Sequence, residues 1–286
     1  MKQRSYTVRG SSGLALRVLE WGPEDGQPVV MLHGIRGYAQ TFATLAGSLA
    51  PQCRTIAYDQ RGRGESDWDP ERQYYTDAYV RDLEAVVEQL HLGQFDLLGH
   101  SMGGIAAIVF AAANPGRVRR LVIEDAGPGA FEDSAGAARI RQELASAPTS
   151  FESWDAAVEF MRRLRPSVAP SAREERLRNM LKQEATGMWT WRYDHAGIAE
   201  VRLNPEPAHV VDLWPHVEAI ACTTLVLRGA RSDYLGRATA EEMARRNRHL
   251  QWREIANAGH YVHDDQPEDV ARLVGSFLTR SGNPAH

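Results

Sequence analysis

The sequence predicts an α/β fold: a mostly parallel sheet with helices on both faces, interrupted by an inserted helical segment. Three observations predict it. Continuous apolar runs such as Val29-Val30-Met31-Leu32 have the pattern of strands buried on both faces. They alternate with stretches of helical periodicity, the arrangement that builds parallel sheets with crossover helices. Between about Gly129 and Pro207 the strand runs vanish, and Ala, Arg and Glu recur at helical spacing.

The elements follow in order. Tyr6 to Val8 and Leu14 to Glu20 alternate apolar and polar, as half-exposed antiparallel strands do. Val29 to Leu32 is a buried strand, followed by His33-Gly34-Ile35-Arg36-Gly37 and a helix near Thr41 to Leu49. Arg54 to Tyr58 is the next strand, and Asp77 to Leu90 the next helix. Phe95 to Leu98 is a short strand, and the Ala-rich helix that follows runs to Asn114, where Pro115 and Gly116 stop it. Val118 to Ile123 is a strand. The inserted segment holds helices at Ala137 to Ala145, Ser153 to Leu164 and Ala172 to Ala185, separated by prolines that include Pro148, Pro166 and Pro170. The sheet pattern resumes at Thr224 to Leu227, then a helix near Thr239 to Arg246, a strand at Leu250 to Ile255 and a final helix from Pro267 to Leu278. The implied organisation is core at 1–128, helical cap at 129–207 and core again at 208–286.

Composition sets bounds on function. The chain has 286 residues, is 43% hydrophobic and 24% charged, and carries a net charge of −4. That is ordinary globular composition, and no basic field points to nucleic acid. No apolar run reaches the length of a membrane helix, and Met1 to Val8 lacks the apolar core of a signal peptide, so a cytoplasmic location is expected. Cys53 and Cys222 read as small buried residues and are too few for a cysteine metal site. The expected partner is a small-molecule substrate, with neither nucleic acid nor membrane. The oligomeric state, a homo-oligomer included, is left open.

The chemistry concentrates at Gly99-His100-Ser101-Met102-Gly103. This is G-x-S-x-G at a strand-to-helix corner, the nucleophile elbow. A serine there sits on a strained turn, and side chains at the flanking glycines would clash across it. Serine is a poor nucleophile at neutral pH and needs a base and an acid to orient that base. The chain order in this architecture is serine, acid, histidine. Asp233 follows one apolar strand and His260 the next, so Ser101, Asp233 and His260 stand in order.

At these residues the chain resembles the α/β-hydrolase family over essentially its whole length. His33-Gly34-Ile35-Arg36-Gly37 is similar to the family's oxyanion loop. Asp59-Gln60-Arg61-Gly62-Arg63-Gly64-Glu65-Ser66 is similar to its D-x-R-G-x-G-x-S turn, and Trp189-Thr190-Trp191-Arg192-Tyr193-Asp194 to a segment at the end of the cap. The resemblance implies a mostly parallel eight-stranded sheet with a cap. It implies a cofactor-free serine hydrolase in which Ser101 attacks, His260 carries the proton and Asp233 orients it. The backbone N–H groups of Ile35 and Met102 would form the oxyanion hole. No metal is expected. Asp125, after the strand Val118 to Ile123, is the alternative acid, because some members place it there.

Substrates in scope are small carboxylic esters, lactones, thioesters and related carbon–carbon or amide acyl bonds. The alternative class is a cofactor-independent oxygenase, a perhydrolase or a ligand receptor on the same fold. Candidate substrate contacts are Arg36, His100, Met188, Trp189 and Trp191, with Met161, Leu164, Met180 and Leu181 as further candidates for the cap's inner face. Arg36 at the mouth of the site could pair with a substrate carboxylate; otherwise it is a solvated loop residue. His33 and His100 read mainly as hydrogen-bonded structural residues. The cap arginines Arg162, Arg163, Arg165, Arg173, Arg176 and Arg178 read as a solvated face interleaved with Glu174 and Glu175; the sharper reading is a docking surface for an acidic carrier protein or an anionic thioester.

Overall fold

A computed structural model describes residues 3–130, 134–164, 168 and 170–279. Met1, Lys2, Arg165 and Pro166, which entered the sequence expectations, lie outside the described residues. Eleven strands occur among the described residues: β1 Arg4–Arg9, β2 Ala15–Trp21, β3 Gln27–Leu32, β4 Cys53–Tyr58, β5 Phe95–His100, β6 Val118–Glu124, β7 Ser150–Phe151, β8 Leu181–Gln183, β9 Trp189–Trp191, β10 Thr223–Gly229 and β11 Leu250–Ile255. The α-helices are α1 Ala43–Leu49, α2 Thr76–Gln89, α3 Met102–Ala113, α4 Ala135–Ser146, α5 Trp154–Leu164, α6 Pro170–Met180, α7 His195–Leu203, α8 Leu213–Ala219, α9 Arg237–Arg246, α10 Val262–Asp265 and α11 Pro267–Thr279.

Eight strands form one sheet in the order β1-β2-β4-β3-β5-β6-β10-β11. The β1–β2 and β2–β4 pairs are antiparallel and every other pair is parallel. The alternating burial of β1 and the complete burial of Val29 through Leu32 in β3 follow from these places, at an edge and in the middle. Two apolar clusters lie on the two faces. One contains Val30, Leu32, Leu97, Leu121, Ile123 and apolar residues of α2 and α3 such as Leu83, Val86, Ile108 and Phe110. The other contains Met31, Leu98, Val122, Leu225 and residues of α1 and α11. Helix α3 is buried nearly all round, because its Gly and Ala residues let it lie close against β5 and β6.

Between α4 and α7 the chain leaves this sheet. The segment is not purely helical: β7, β9 and β8 form a separate three-stranded antiparallel sheet. The predicted helix Ala172 to Ala185 accordingly ends at Met180, where the chain turns directly into β8. Strands of two or three residues leave no period long enough to read from sequence. Cys53 is buried, Cys222 half-buried, and both are free thiols. No helix among the described residues is long and apolar enough to cross a membrane.

Candidate active site

Ser101 stands at the corner between β5 and α3 with φ 55° and ψ −119°. A non-glycine residue at positive φ is strained, and it persists where the surroundings over-determine it. Two close approaches do so. A Cβ on Gly99 would lie 2.3 Å from the Gly103 carbonyl oxygen, and one on Gly103 would lie 2.2 Å from the Leu32 carbonyl oxygen. Glycine at both positions lets the turn close on itself and on β3. The Ser101 N–H donates to the Glu124 carbonyl at 2.9 Å, and the Ile105 N–H donates to the Ser101 carbonyl at 3.0 Å.

His260 lies in the loop after β11, 159 residues away in sequence, and its Nε2 is 2.9 Å from Ser101 Oγ. Its Nδ1 is 2.8 Å from Asp125 Oδ2. The ionised carboxylate only accepts, so Nδ1 carries the proton and Nε2 accepts from the serine hydroxyl. Asp125 is fully buried at the end of β6 and has φ 49°. Its carboxylate also accepts from the Gly229 N–H at 3.1 Å and from Ser232 Oγ at 2.5 Å.

The acid assignment from sequence is therefore corrected. Asp233 does not contact the imidazole. It is bound by Arg139, with Nε and Nη2 donating to its two oxygens at 2.8 and 3.0 Å, and it is 36% exposed. The Arg139 hydrogen bonds hold its carboxyl below the usual carboxylate range. The residue beside it, Ser232, turns toward the triad and braces Asp125 through its hydroxyl.

The oxyanion loop is held from behind by the D-x-R-G-x-G-x-S turn. His33 is fully buried, and its Nε2 accepts from the Gln60 N–H at 3.0 Å. Burial pushes its pKa down to about 3, so the ring is neutral and structural. Asp59 accepts from the backbone N–H groups of Ala39 and Glu65 at 2.6 and 3.0 Å. Arg61 is clamped between Asp69 and Asp82. Arg63 reaches further: its guanidinium donates to the Ile35 carbonyl at 3.3 Å, the Tyr79 hydroxyl at 2.7 Å and the Met102 sulfur at 3.4 Å. Ile35 and Met102, the residues expected to supply the oxyanion donors, both line the cavity that contains Ser101. Met102 is the first residue of α3, so its N–H has no acceptor within the helix and lies at the positive end of the helix dipole.

That cavity holds only about 10 Å³. Its other walls are Ile105, Ala137, Ile140, Arg202 and Tyr234, none of which the sequence singled out. Ala137 and Ile140 come from α4 and Arg202 from α7. Their roles depend on where the cap lands on the core, which no local pattern encodes. A second cavity, of about 20 Å³, is lined by Arg36 of the oxyanion loop and by His100, Met161, Leu164, Arg176 and Met180 among others.

The remaining candidates divide. Arg36 is not solvated: its side chain is 5% exposed and pairs with Glu143 at 2.8 Å. His100 is buried, with its Nε2 3.0 Å from the His260 carbonyl. Trp191 instead fills the cap's own core, packed on Phe151, Phe160 and Tyr193 with its Nε1 donating to the Pro148 carbonyl at 2.7 Å. Trp189 packs at a tilt against Trp154 along an outer groove, and Met188 lines neither of these two cavities. Exposed Arg162 and Arg163 pair with Glu159 on their own helix. Arg176 is drawn inward to Asp264. No cluster of metal-ligating side chains occurs among the described residues.

Comparison with known proteins agrees with this fold. The model of the alpha/beta hydrolase family matches residues 29–273. The 3-hydroxybutyrate-oligomer hydrolase of Cupriavidus necator is 30% identical over 271 residues, which cover 91% of each chain. An esterase of Mycobacterium tuberculosis is 28% identical over 272 residues, 92% of this chain and 86% of that one. Among solved structures, an E-2-(acetamidomethylene)succinate hydrolase superposes with a TM-score of 0.85 at 25% identity, covering 97% of this chain and 99% of the other. An alpha/beta hydrolase of Novosphingobium aromaticivorans gives 0.83 at 30% identity, covering 98% of each. With an elbow, a fold and relatives that all agree, the chain belongs to the alpha/beta hydrolase family and is an enzyme of the ester-hydrolase type.

Proposed function

We propose that this protein is a serine esterase that cleaves a small carboxylic ester or thioester through an acyl-enzyme on Ser101. The observation that carries the reading is the buried line from Asp125 through His260 to Ser101, with spacings of 2.8 and 2.9 Å. Ser101 Oγ attacks the substrate carbonyl carbon as its proton passes to His260 Nε2. The carbonyl oxygen becomes an oxyanion, held by the N–H groups of Ile35 and Met102. Collapse expels the alcohol or thiol, which takes the proton from His260. Water then attacks the acyl-enzyme by the same route and releases the acid. Asp125 keeps the imidazole in the reactive tautomer and stabilises the imidazolium.

The relatives support an ester substrate, since one is named a 3-hydroxybutyrate-oligomer hydrolase and another an esterase. The apolar walls Ile105, Ala137 and Ile140 suit a short acyl or alkyl group, which has to widen a cavity of only about 10 Å³, roughly one water, on entering. Labelling with a fluorophosphonate probe tests the reading, followed by turnover of p-nitrophenyl acetate and butyrate. Modification of Ser101 in the native enzyme, absent in Ser101→Ala, is the expected result. A folded protein that neither labels nor turns over these esters would overturn it in favour of a non-hydrolytic role.

A further inference from the structure

Several arginines in this protein grip a carboxylate bidentately with one edge. The Nε and Nη2 donors of Arg61 bind both oxygens of Asp82, each at 2.7 Å. The same edge of Arg54 holds Glu20 at 3.0 and 3.1 Å, and that of Arg139 holds Asp233 at 2.8 and 3.0 Å. Two parallel donors match the geometry of a carboxylate, which makes the pairing specific as well as strong.

Arg36 is buried and leaves that edge unused. Its Nη1 donates to Glu143 at 2.8 Å, while Nε and Nη2 are buried without a hydrogen-bond acceptor. The side chain is 5% exposed, so water does not serve these donors freely. Leaving charged donors unsatisfied in the interior is costly. Glu143 does not neutralise Arg36 alone, because it also binds Arg139 at 2.9 Å. The Tyr193 phenol lies close to Arg36, which favours its ionisation against a larger opposing effect of burial, but the pair falls short of hydrogen-bond geometry.

The position of the residue relates it to catalysis. Arg36 lines the cavity of about 20 Å³ with Gly34, His100, Arg176, Met161 and Met180. Gly34 lies against the nucleophile: a Cβ there would be 3.2 Å from Ser101 Cβ. Met161 and Met180 are unbranched and adaptable, and can move aside for an entering group.

We infer that this cavity is a subsite for a carboxylate carried by the acyl part of the substrate, held bidentately by Arg36 Nε and Nη2 with Arg176 as a second positive neighbour. The inference rests on the serine-esterase reading and narrows it to half-esters or half-thioesters of short dicarboxylic acids. Hydrolysis of mono-p-nitrophenyl succinate and glutarate, set against p-nitrophenyl butyrate and valerate, tests it. The native enzyme should favour at least one half-ester by tenfold or more in kcat/KM over its neutral counterpart. Arg36→Gln should reduce that preference at least tenfold, and Arg36→Lys, which keeps the charge without the fork, should fall between. Glu143→Gln should keep or raise the preference. A native preference near or below one, or one unchanged in both Arg36 variants, would overturn the subsite.

Calorimetric titration of Ser101→Ala with monomethyl succinate and monomethyl glutarate separates the two readings. Binding that disappears when Arg36→Gln is added supports the subsite even without turnover, and the esterase reading then fails alone. Turnover of the neutral esters without selective half-ester binding removes the subsite alone.

Discussion

Asp125 Oδ2 and His260 Nδ1 are 2.8 Å apart across 135 residues of sequence, and neither side chain is more than 2% exposed. The contact joins the end of β6 to the loop after β11, with β10 between them in the sheet. The N–H of Gly229, the last residue of β10, and the hydroxyl of Ser232 in the loop after it complete the carboxylate's hydrogen bonds. Asp125 is thus fixed from three neighbouring strand ends.

Asp125→Asn should lower kcat by roughly 10⁴, because the amide favours the wrong imidazole tautomer. Asp233→Asn should cost less than about tenfold, since its carboxylate serves Arg139 and lies outside the proton path. Steady-state kinetics on p-nitrophenyl butyrate compares the two. A large loss in Asp233→Asn with a small one in Asp125→Asn would reverse the assignment.

Arg63 acts on the oxyanion hole from behind, through the Ile35 carbonyl and the Met102 sulfur. Arg63→Met should lower kcat by roughly tenfold with little change in KM, a fraction of the 2.7–4 kcal/mol that loss of a whole oxyanion donor costs. A change confined to KM would place Arg63 in binding instead.

Gly103→Ala forces a Cβ to 2.2 Å from the Leu32 carbonyl oxygen, a backbone atom that cannot rotate away. Overpacking of this kind costs about 1–3 kcal/mol or more. Thermal unfolding should show a clear drop in Tm together with loss of activity. An unchanged Tm would mean that the elbow is less constrained than its geometry indicates.

His263 and Glu124 form a buried pair beside the triad. Burial works against the imidazolium, but Glu124 and Asp264 outweigh it and Arg176 only partly opposes them, so the His263 pKa is raised. A raised histidine pKa contributes stability that is fully present below the unfolded value of about 6.5 and is lost as pH rises through the folded value. Urea unfolding from pH 6 upward should show this decline, and His263→Gln should flatten it. A native protein whose stability rises over that interval would contradict the linkage.

Much of the core was legible in the sequence because its signals are local. An apolar run such as Val29 to Leu32, bounded by turn residues, has the pattern of a strand buried on both faces, and the β5 run followed by a glycine-flanked serine that of a tight corner. Ser101 and His260 were found this way, and the structure brings them together. Asp233 was misplaced because two aspartates follow adjacent strands, and local pattern treats them alike. Cap residues were harder still. Trp189 and Trp191 are large and apolar, which marks burial but not which surface they are buried against.

The sequence by itself determined the alternation of strands and helices, the elbow and the order of chemistry-bearing loops, since each depends on neighbours within a few residues. Only the tertiary structure decided that Asp125 faces His260 while Asp233 faces Arg139, and that Arg36 lies buried with a free donor edge. Those outcomes depend on contacts between segments about 90 to 140 residues apart. They are set by how β6, β10 and β11 align and where α4 lands on the core, and no short stretch of chain carries that information.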